Sequence, residues 1–226
     1  MIMKVTFENK VLSKNDRIAA EVRRHLMARG IVAVNLIGSP GSGKTSLVER
    51  TAAWCHGRVS AAALTGDQAT CHDADRIERA GIPAIQITTG NECHLNAQRI
   101  LECVARDELW DIELLLIENV GNLICPAAYD LGEAAKVAIL SVPEGDDKPL
   151  KYPGLFKRAD LMVISKIDLL GSNDFDVDRA EAHAREVAPH LEVVRLSCRS
   201  GEGLEGWTRW LARQLVQTAP LTMRQA

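Results

Sequence analysis

The segment Gly38-Ser-Pro-Gly41-Ser-Gly43-Lys44-Thr45 constrains this chain more than any other. It matches the pattern G-x-x-x-x-G-K-[ST] and stands between an apolar run, Ile31 to Ile37, and a helical pattern from Lys44 to Trp54. A buried strand that ends in glycines and turns straight into a helix gathers backbone N–H groups at the helix N-terminus, where anions bind. In such a loop Gly38, Pro40, Gly41, Ser42 and Gly43 shape the cradle, and Ser46 follows in the first helical turn. Lys44 reaches the β and γ phosphate oxygens, and the Thr45 hydroxyl takes a place on Mg²⁺. The bland alternative, a chance glycine-rich turn, does not account for the flanking elements.

Further apolar runs, at Val59 to Leu64, Ala84 to Ile87, Ile112 to Ile117, Val137 to Val142, Leu161 to Ser165 and Val193 to Ser197, alternate with helical patterns. The alternation predicts an α/β fold, a P-loop NTPase with a mostly parallel, doubly wound sheet flanked by helices. A length of 226 residues, 46% of them hydrophobic, suits one such domain over 1–226. Asn15 is the expected cap of a connector helix carrying Ile18, Val22 and Leu26 within residues 1–30, and the tail from about Thr218 is expected to fray. A net charge of −3, with both signs scattered, argues against a nucleic-acid partner. Neither a signal peptide nor a membrane-spanning run is evident, so a cytoplasmic location is expected.

A second Mg²⁺ partner should come from the end of a neighbouring buried strand, and Leu114-Leu-Leu-Ile117-Glu118 supplies one. Glu118-Asn119-Val120-Gly121 has the acid-x-x-glycine spacing by which GTPases sense the γ-phosphate, which makes Gly121 a candidate catalytic switch residue. Asp67 and Asp73 face the same sheet edge and either hold Mg²⁺ or orient the attacking water; for Asp73 a simple helix N-terminal acid is the bland reading. Ser165-Lys166-Ile167-Asp168 resembles the guanine-reading motif Asn-Lys-x-Asp with serine for asparagine. The Asp168 carboxylate can accept from both N1–H and the 2-amino group of guanine, a donor pair that adenine lacks. Ser197-Cys198 sits where GTPases back the guanine.

Six cysteines in a reducing compartment are more plausibly free or metal-bound than paired. Cys93 and His94 are expected at the start of a helix capped by Thr89 or Asn91, where a thiolate is favoured. Cys125, stiffened by Pro126, presents one more sulfur. Three soft donors are one short of a closed Zn²⁺ set and also suit planar Ni²⁺; the competing reading is packing. Cys71-His72 either adds ligands or sits in a switch loop, with the second favoured. Cys55, Cys103, His25, His183 and His190 read as structural or solvated.

In order and spacing, Gly38 to Thr45, Gly66-Asp67, Asp73-Ala74, Thr89-Gly90 with Cys93-His94-Leu95, Ile117 to Asn122 with Cys125-Pro126, and Glu144 to Lys148 resemble the HypB family of GTPases, which assist nickel insertion into [NiFe]-hydrogenase. The resemblance covers roughly Ile31 to Trp210. It implies slow hydrolysis of GTP with Mg²⁺, a Ni²⁺ or Zn²⁺ site of Cys93, His94 and Cys125 near a dimer interface, and Lys44, Thr45 and Asp168 on the nucleotide. It also implies a GTP-dependent homodimer, a HypA-like nickel chaperone and the hydrogenase large subunit as partners. Two features depart from the family pattern: Ser165 replaces the usual asparagine, and the Cys-x-x-Cys and histidine-rich elements that some relatives carry near the N-terminus are missing. The rival readings are a UreG-like urease GTPase, a GTP-regulated scaffold whose cysteines only pack, and a small-molecule kinase.

Overall fold

The computed structural model describes residues 5–67, 72–90, 92–105 and 111–218. Cys71, Asn91 and the tail beyond Thr218 lie outside them. The helix α1, Val5–Ala28, leads into β1, Val32–Gly38, and α2, Lys44–Cys55. Then follow β2 (Ala61–Asp67), α3 (His72–Arg79), β3 (Ala84–Thr88), α4 (Ala97–Val104) and β4 (Leu114–Glu118). The second half comprises the short helix α5 (Cys125–Ala128), β5 (Ala135–Ser141), two one-turn helices α6 (Lys148–Lys151) and α7 (Pro153–Phe156), β6 (Leu161–Ser165), α8 (Val177–Val187), β7 (Glu192–Leu196) and α9 (Leu204–Thr218).

All strand pairs are parallel, in the order β3-β2-β4-β1-β5-β6-β7. Each strand in an all-parallel sheet must return through a crossover, which covers both faces with helices and calls for apolar residues on both. Period-two alternation sorts β1 accordingly. Val32, Val34 and Leu36 join the core with Leu47, Val48, Trp207 and Trp210, while Ala33 packs on the opposite face with Val22, Leu64 and Leu115. Asn35 falls on that second face and is fully buried, so its amide must find partners inside the protein.

The strands begin and end within a few residues of their predicted limits. Two helix starts differ. Asn15 does not cap α1, which begins at Val5; it lies inside the helix, buried, with Nδ2 donating to the Asp130 carbonyl at 2.8 Å. Its Oδ1 accepts the Ala97 N–H at 2.9 Å and so caps α4 from across the chain. The second difference concerns α4 itself, which starts at Ala97 with Asn96 as its cap, the Asn96 side chain accepting the Arg99 N–H. Cys93 and His94 therefore precede the helix in an irregular loop, and no helix terminus is available there to favour a thiolate.

Removing the Asn15 side chain strands the buried Ala97 N–H, an unmet polar group costing about 1–3 kcal/mol, and deprives the half-buried Asp130 carbonyl of this donor. Asn15→Ala is expected to lower the urea midpoint at unchanged slope. A variant as stable as the wild type would show that water satisfies both groups.

Candidate functional site

The pairing of β1 with β4 sets the site, because Leu36 stands opposite Glu118 and the loops that follow both strands emerge side by side. Ligands of open α/β sheets bind outside such carboxyl ends. A cavity of about 500 Å³ opens there, lined by Lys44, Thr45, Asp67, Asp73, Glu118 and Gly121 among others. Gly41 and Gly43 adopt φ of 74° and 98°, left-handed values that suit glycine.

Thr45 Oγ1 lies 2.8 Å from Glu118 Oε1 and 3.0 Å from Asp73 Oδ1. One hydroxyl proton cannot satisfy two carboxylates, and Glu118 Oε2 is buried with no hydrogen-bond partner. Converging hard oxygens of this kind are what Mg²⁺ takes as ligands. Burial pushes the Glu118 carboxyl up to about 7, against the opposing pull of Lys44 and the Thr45 hydroxyl. Burial also lowers Lys44, despite Glu118, Asp73 and Glu144. The mutual attraction of Lys44 and Glu118 does not offset burial for either group, so a further cation beside Glu118 and an anion beside Lys44 would favour both charged forms. Lys44 Nζ meanwhile donates to the carbonyls of Gly38 and Ser39 at 3.1 and 3.0 Å. Asp73 sits in the first turn of α3, as the bland reading has it, and also lines the cavity within hydrogen-bond distance of Thr45.

Gly121 packs directly on the phosphate loop: a Cβ there would fall 2.8 Å from Pro40 Cγ and 3.0 Å from Pro40 N. Arg76, which the sequence reading passed over, lines the same cavity and pairs with Glu49 at 2.8 Å while donating to Ser46 Oγ at 3.3 Å. Only its one-turn spacing from Asp73 on α3 could have pointed to it.

On the far side of the phosphate loop a smaller cavity of about 250 Å³ is lined by Gly43, Ser46, Ser165, Lys166, Asp168 and Cys198, among others. Ser197 Oγ donates to Asp168 Oδ1 at 2.5 Å and accepts the N–H groups of Arg199 and Ser200. Lys166 has φ 61°, the one positive value for a non-glycine among the described residues, and its Nζ reaches the Gly41 carbonyl at 2.5 Å. Ser165 Oγ donates to the buried Ser42 carbonyl at 2.6 Å. This serine braces the phosphate loop while lining the smaller cavity. The Cys198 thiol is pushed up to about 11 by burial, so it stays protonated near neutral pH.

Cys93, His94 and Cys125 come together, with donor atoms within 4.8 Å of one another, about twice a metal–sulfur or metal–nitrogen bond. Cys93 Sγ is 3.9 Å from His94 Nδ1. The His94 ring stacks on Tyr129 with centroids 3.8 Å apart, which fixes its plane. Burial lowers its pKa and keeps the imidazole neutral, the form that ligates metal. The nearby Cys93 thiol, with burial, raises Cys125, an opposition that a shared cation removes. Cys93 also lines the phosphate cavity. Asn122, which closes the motif from Ile117, has its Nδ2 3.5 Å from the Cys93 carbonyl, whereas Tyr129 carries no motif that would have marked it. Cys55 and Cys103 are buried and structural, as expected. His72 begins α3; its neighbour Cys71 is not described.

A family model for the CobW/HypB/UreG nucleotide-binding domain matches residues 32–195. A hydrogenase maturation factor HypB from Azotobacter vinelandii is 55% identical over 207 residues, covering 92% of this chain and 68% of that protein. The chain belongs to the HypB family. The HypB of Escherichia coli K12 is 50% identical, covering 92% of this chain and 71% of its own length. Among solved structures, HypB from Helicobacter pylori in complex with nickel superposes with a TM-score of 0.86 at 38% identity, over 92% of this chain and 98% of that one. HypB from Archaeoglobus fulgidus gives 0.85 at 42%, over 90% and 100%. The 54 kDa signal recognition particle protein of Aeropyrum pernix, in complex with GDP, shares the fold at 16% identity and a TM-score of 0.54, over 82% of this chain and 46% of that one.

Two outcomes test this HypB site. Glu118 holds its proton to about 7 in the fold against ~4.3 in an unfolded chain, so its contribution to stability is full below the unfolded value and is lost as pH rises through about 7. Urea midpoints of nucleotide- and metal-free protein should therefore fall from about pH 5 to pH 8 relative to Glu118→Gln; parallel curves would refute the raised pKa. Gly121→Ala forces Pro40 aside, at an overpacking cost of about 1–3 kcal/mol. The expected result is at least a severalfold loss of affinity for a non-hydrolysable GTP analogue, and undiminished affinity would contradict the close approach.

Proposed function

We propose that this protein hydrolyses GTP and uses its nucleotide state to control a nickel ion held by Cys93, His94 and Cys125, in the service of [NiFe]-hydrogenase maturation. The observation that carries this reading is the position of Cys93, which lines the cavity of Lys44, Thr45, Glu118 and Gly121 while offering its sulfur to the three-donor cluster. Any rearrangement that accompanies loss of the γ-phosphate acts within contact of a metal ligand.

Lys44 and the loop N–H groups bind the phosphates, and Thr45 and Glu118 hold Mg²⁺, with Asp67 or Asp73 completing its shell or orienting the attacking water. Mg²⁺ supplies charge neutralisation between the β and γ phosphates. The Gly121 N–H faces the γ-phosphate and reports its departure. Asp168, aligned by Ser197, accepts from guanine, with Lys166 and Cys198 flanking the base. Three soft donors leave one tetrahedral position for a ligand from a second copy or from a partner receiving the ion, and the same donors take Zn²⁺. The relatives named hydrogenase maturation factors support a hydrogenase client, with a HypA-like chaperone and the large subunit as partners and a GTP-dependent homodimer as the working form. No described helix is long and apolar enough to cross a membrane, which agrees with work in the cytoplasm.

Titration of Ni²⁺ and Zn²⁺ into wild type, Cys93→Ala and Cys125→Ala, each with GDP and with a GTP analogue, tests the reading. Either substitution is expected to weaken binding at least tenfold, and wild-type affinity is expected to differ about 5–150-fold between nucleotides, the usual range of coupling. Binding that ignores both cysteines removes the site and favours a scaffold. Equal affinity in the two nucleotide states removes the coupling.

A further inference from the structure

Leu95, next to His94, is fully buried, and its N–H donates to Asn119 Oδ1 at 3.1 Å. The same oxygen accepts the Val120 N–H at 3.0 Å, inside the loop that runs from Glu118 to Gly121. One carbonyl oxygen therefore ties the loop of the metal ligands to the loop of the phosphate site. The orientation of the amide follows from its partners: two N–H donors face Oδ1, and Nδ2 donates to Asn35 Oδ1 at 3.2 Å. Asn35 in turn donates to Glu133 Oε1 at 3.1 Å, and Glu133 Oε2 accepts the Leu131 N–H at 2.7 Å. The Asn119 amide is thus held from behind by a chain of buried polar groups rooted in β1. Leu95 is also pinned from the other side, because a Cβ on Gly66 would meet its side chain at 2.8 Å, and Gly66 precedes Asp67 at the end of β2.

We propose that Asn119 is a positioning residue that transmits nucleotide state to the metal ligands, its side-chain oxygen moving Leu95, and with it Cys93 and His94, when the Val120–Gly121 backbone moves. The inference rests on the coupling between nucleotide and metal proposed above. A loop-to-loop link through solvent would let one loop shift without the other. In this interior a shift of Val120 either carries the oxygen with it or leaves a buried N–H without a partner, so the two loops move together.

The test measures the ratio of Ni²⁺ affinities with GDP and with a non-hydrolysable GTP analogue, in the full chain, for wild type, Asn119→Ala and Asn119→Asp. A uniform loss of structure lowers both affinities and leaves their ratio alone. Asn119→Ala is expected to bring the ratio to within about twofold of unity. Asn119→Asp keeps an oxygen acceptor for both amides and, with its buried carboxyl protonated, an O–H toward Asn35, so it should preserve the wild-type ratio at some cost in stability. A wild-type ratio in the alanine variant would overturn the role of Asn119 while leaving the coupling intact, whereas a ratio of one in the wild type would overturn the coupling itself. Should Asn119→Ala fail to fold, amide hydrogen exchange in the wild type decides: protection of Leu95 and Val120 should change together between the two nucleotides, and Leu95 protection that ignores the nucleotide sinks the inference.

Discussion

The pairing of β1 with β4 is the constraint on which the site depends. The two strands are distant in sequence and become neighbours only because the chain crosses over the sheet, and their register sets Leu36 against Glu118. The glycine loop that leaves β1 and the acidic loop that leaves β4 then face each other across a few ångströms, with Gly121 against Pro40. β2 on the other flank of β4 adds Gly66 and Asp67 at the same edge. Parallel order is what makes this possible, since an antiparallel neighbour would have presented its opposite end.

Two kinds of chemistry share that edge and remain distinct. Thr45, Asp73 and Glu118 offer oxygens, with a buried carboxylate and a buried ammonium both driven toward neutrality by desolvation. Cys93, His94 and Cys125 offer sulfur and nitrogen in a partly open loop, with the imidazole kept neutral and stacked on Tyr129. Hard and soft donors sort their ions by type, so the sites can adjoin without competing for one metal. Their shared wall is Cys93.

Much of this was legible in one dimension. The glycine loop, the apolar runs and the acid after Leu114 to Ile117 are local patterns, and local patterns survive in sequence. The cluster of Cys93, His94 and Cys125 was legible as a set of residue types, and only the fold could bring its two segments together. Asn35, inside β1, and Glu133, in the loop before β5, escaped because a buried polar side chain announces nothing about its partner, and Asn119 was legible as part of a motif but not as the link between two loops. The helix expected at Cys93 failed for a related reason: the cap that sets its start at Ala97 comes partly from Asn15, on a different helix. Ser165 stood out as a departure from the guanine motif, yet its bond to the Ser42 carbonyl becomes visible only once β6 lies beside the phosphate loop.

That cap from Asn15 gives α1 a standing that a connector does not have. The helix is clamped to the rest of the molecule twice at one level, through Arg23 on Asp130 and through Asn15 on both Asp130 and Ala97. Ala97 is separated from His94 by only two residues, one of which, Leu95, is held by Asn119. The contacts of α1 thus extend, through Ala97 and the Leu95 N–H held by Asn119, to the loop of Cys93 and His94. A helix near the start of the sequence therefore supplies a cap to the element that follows the cluster in its middle.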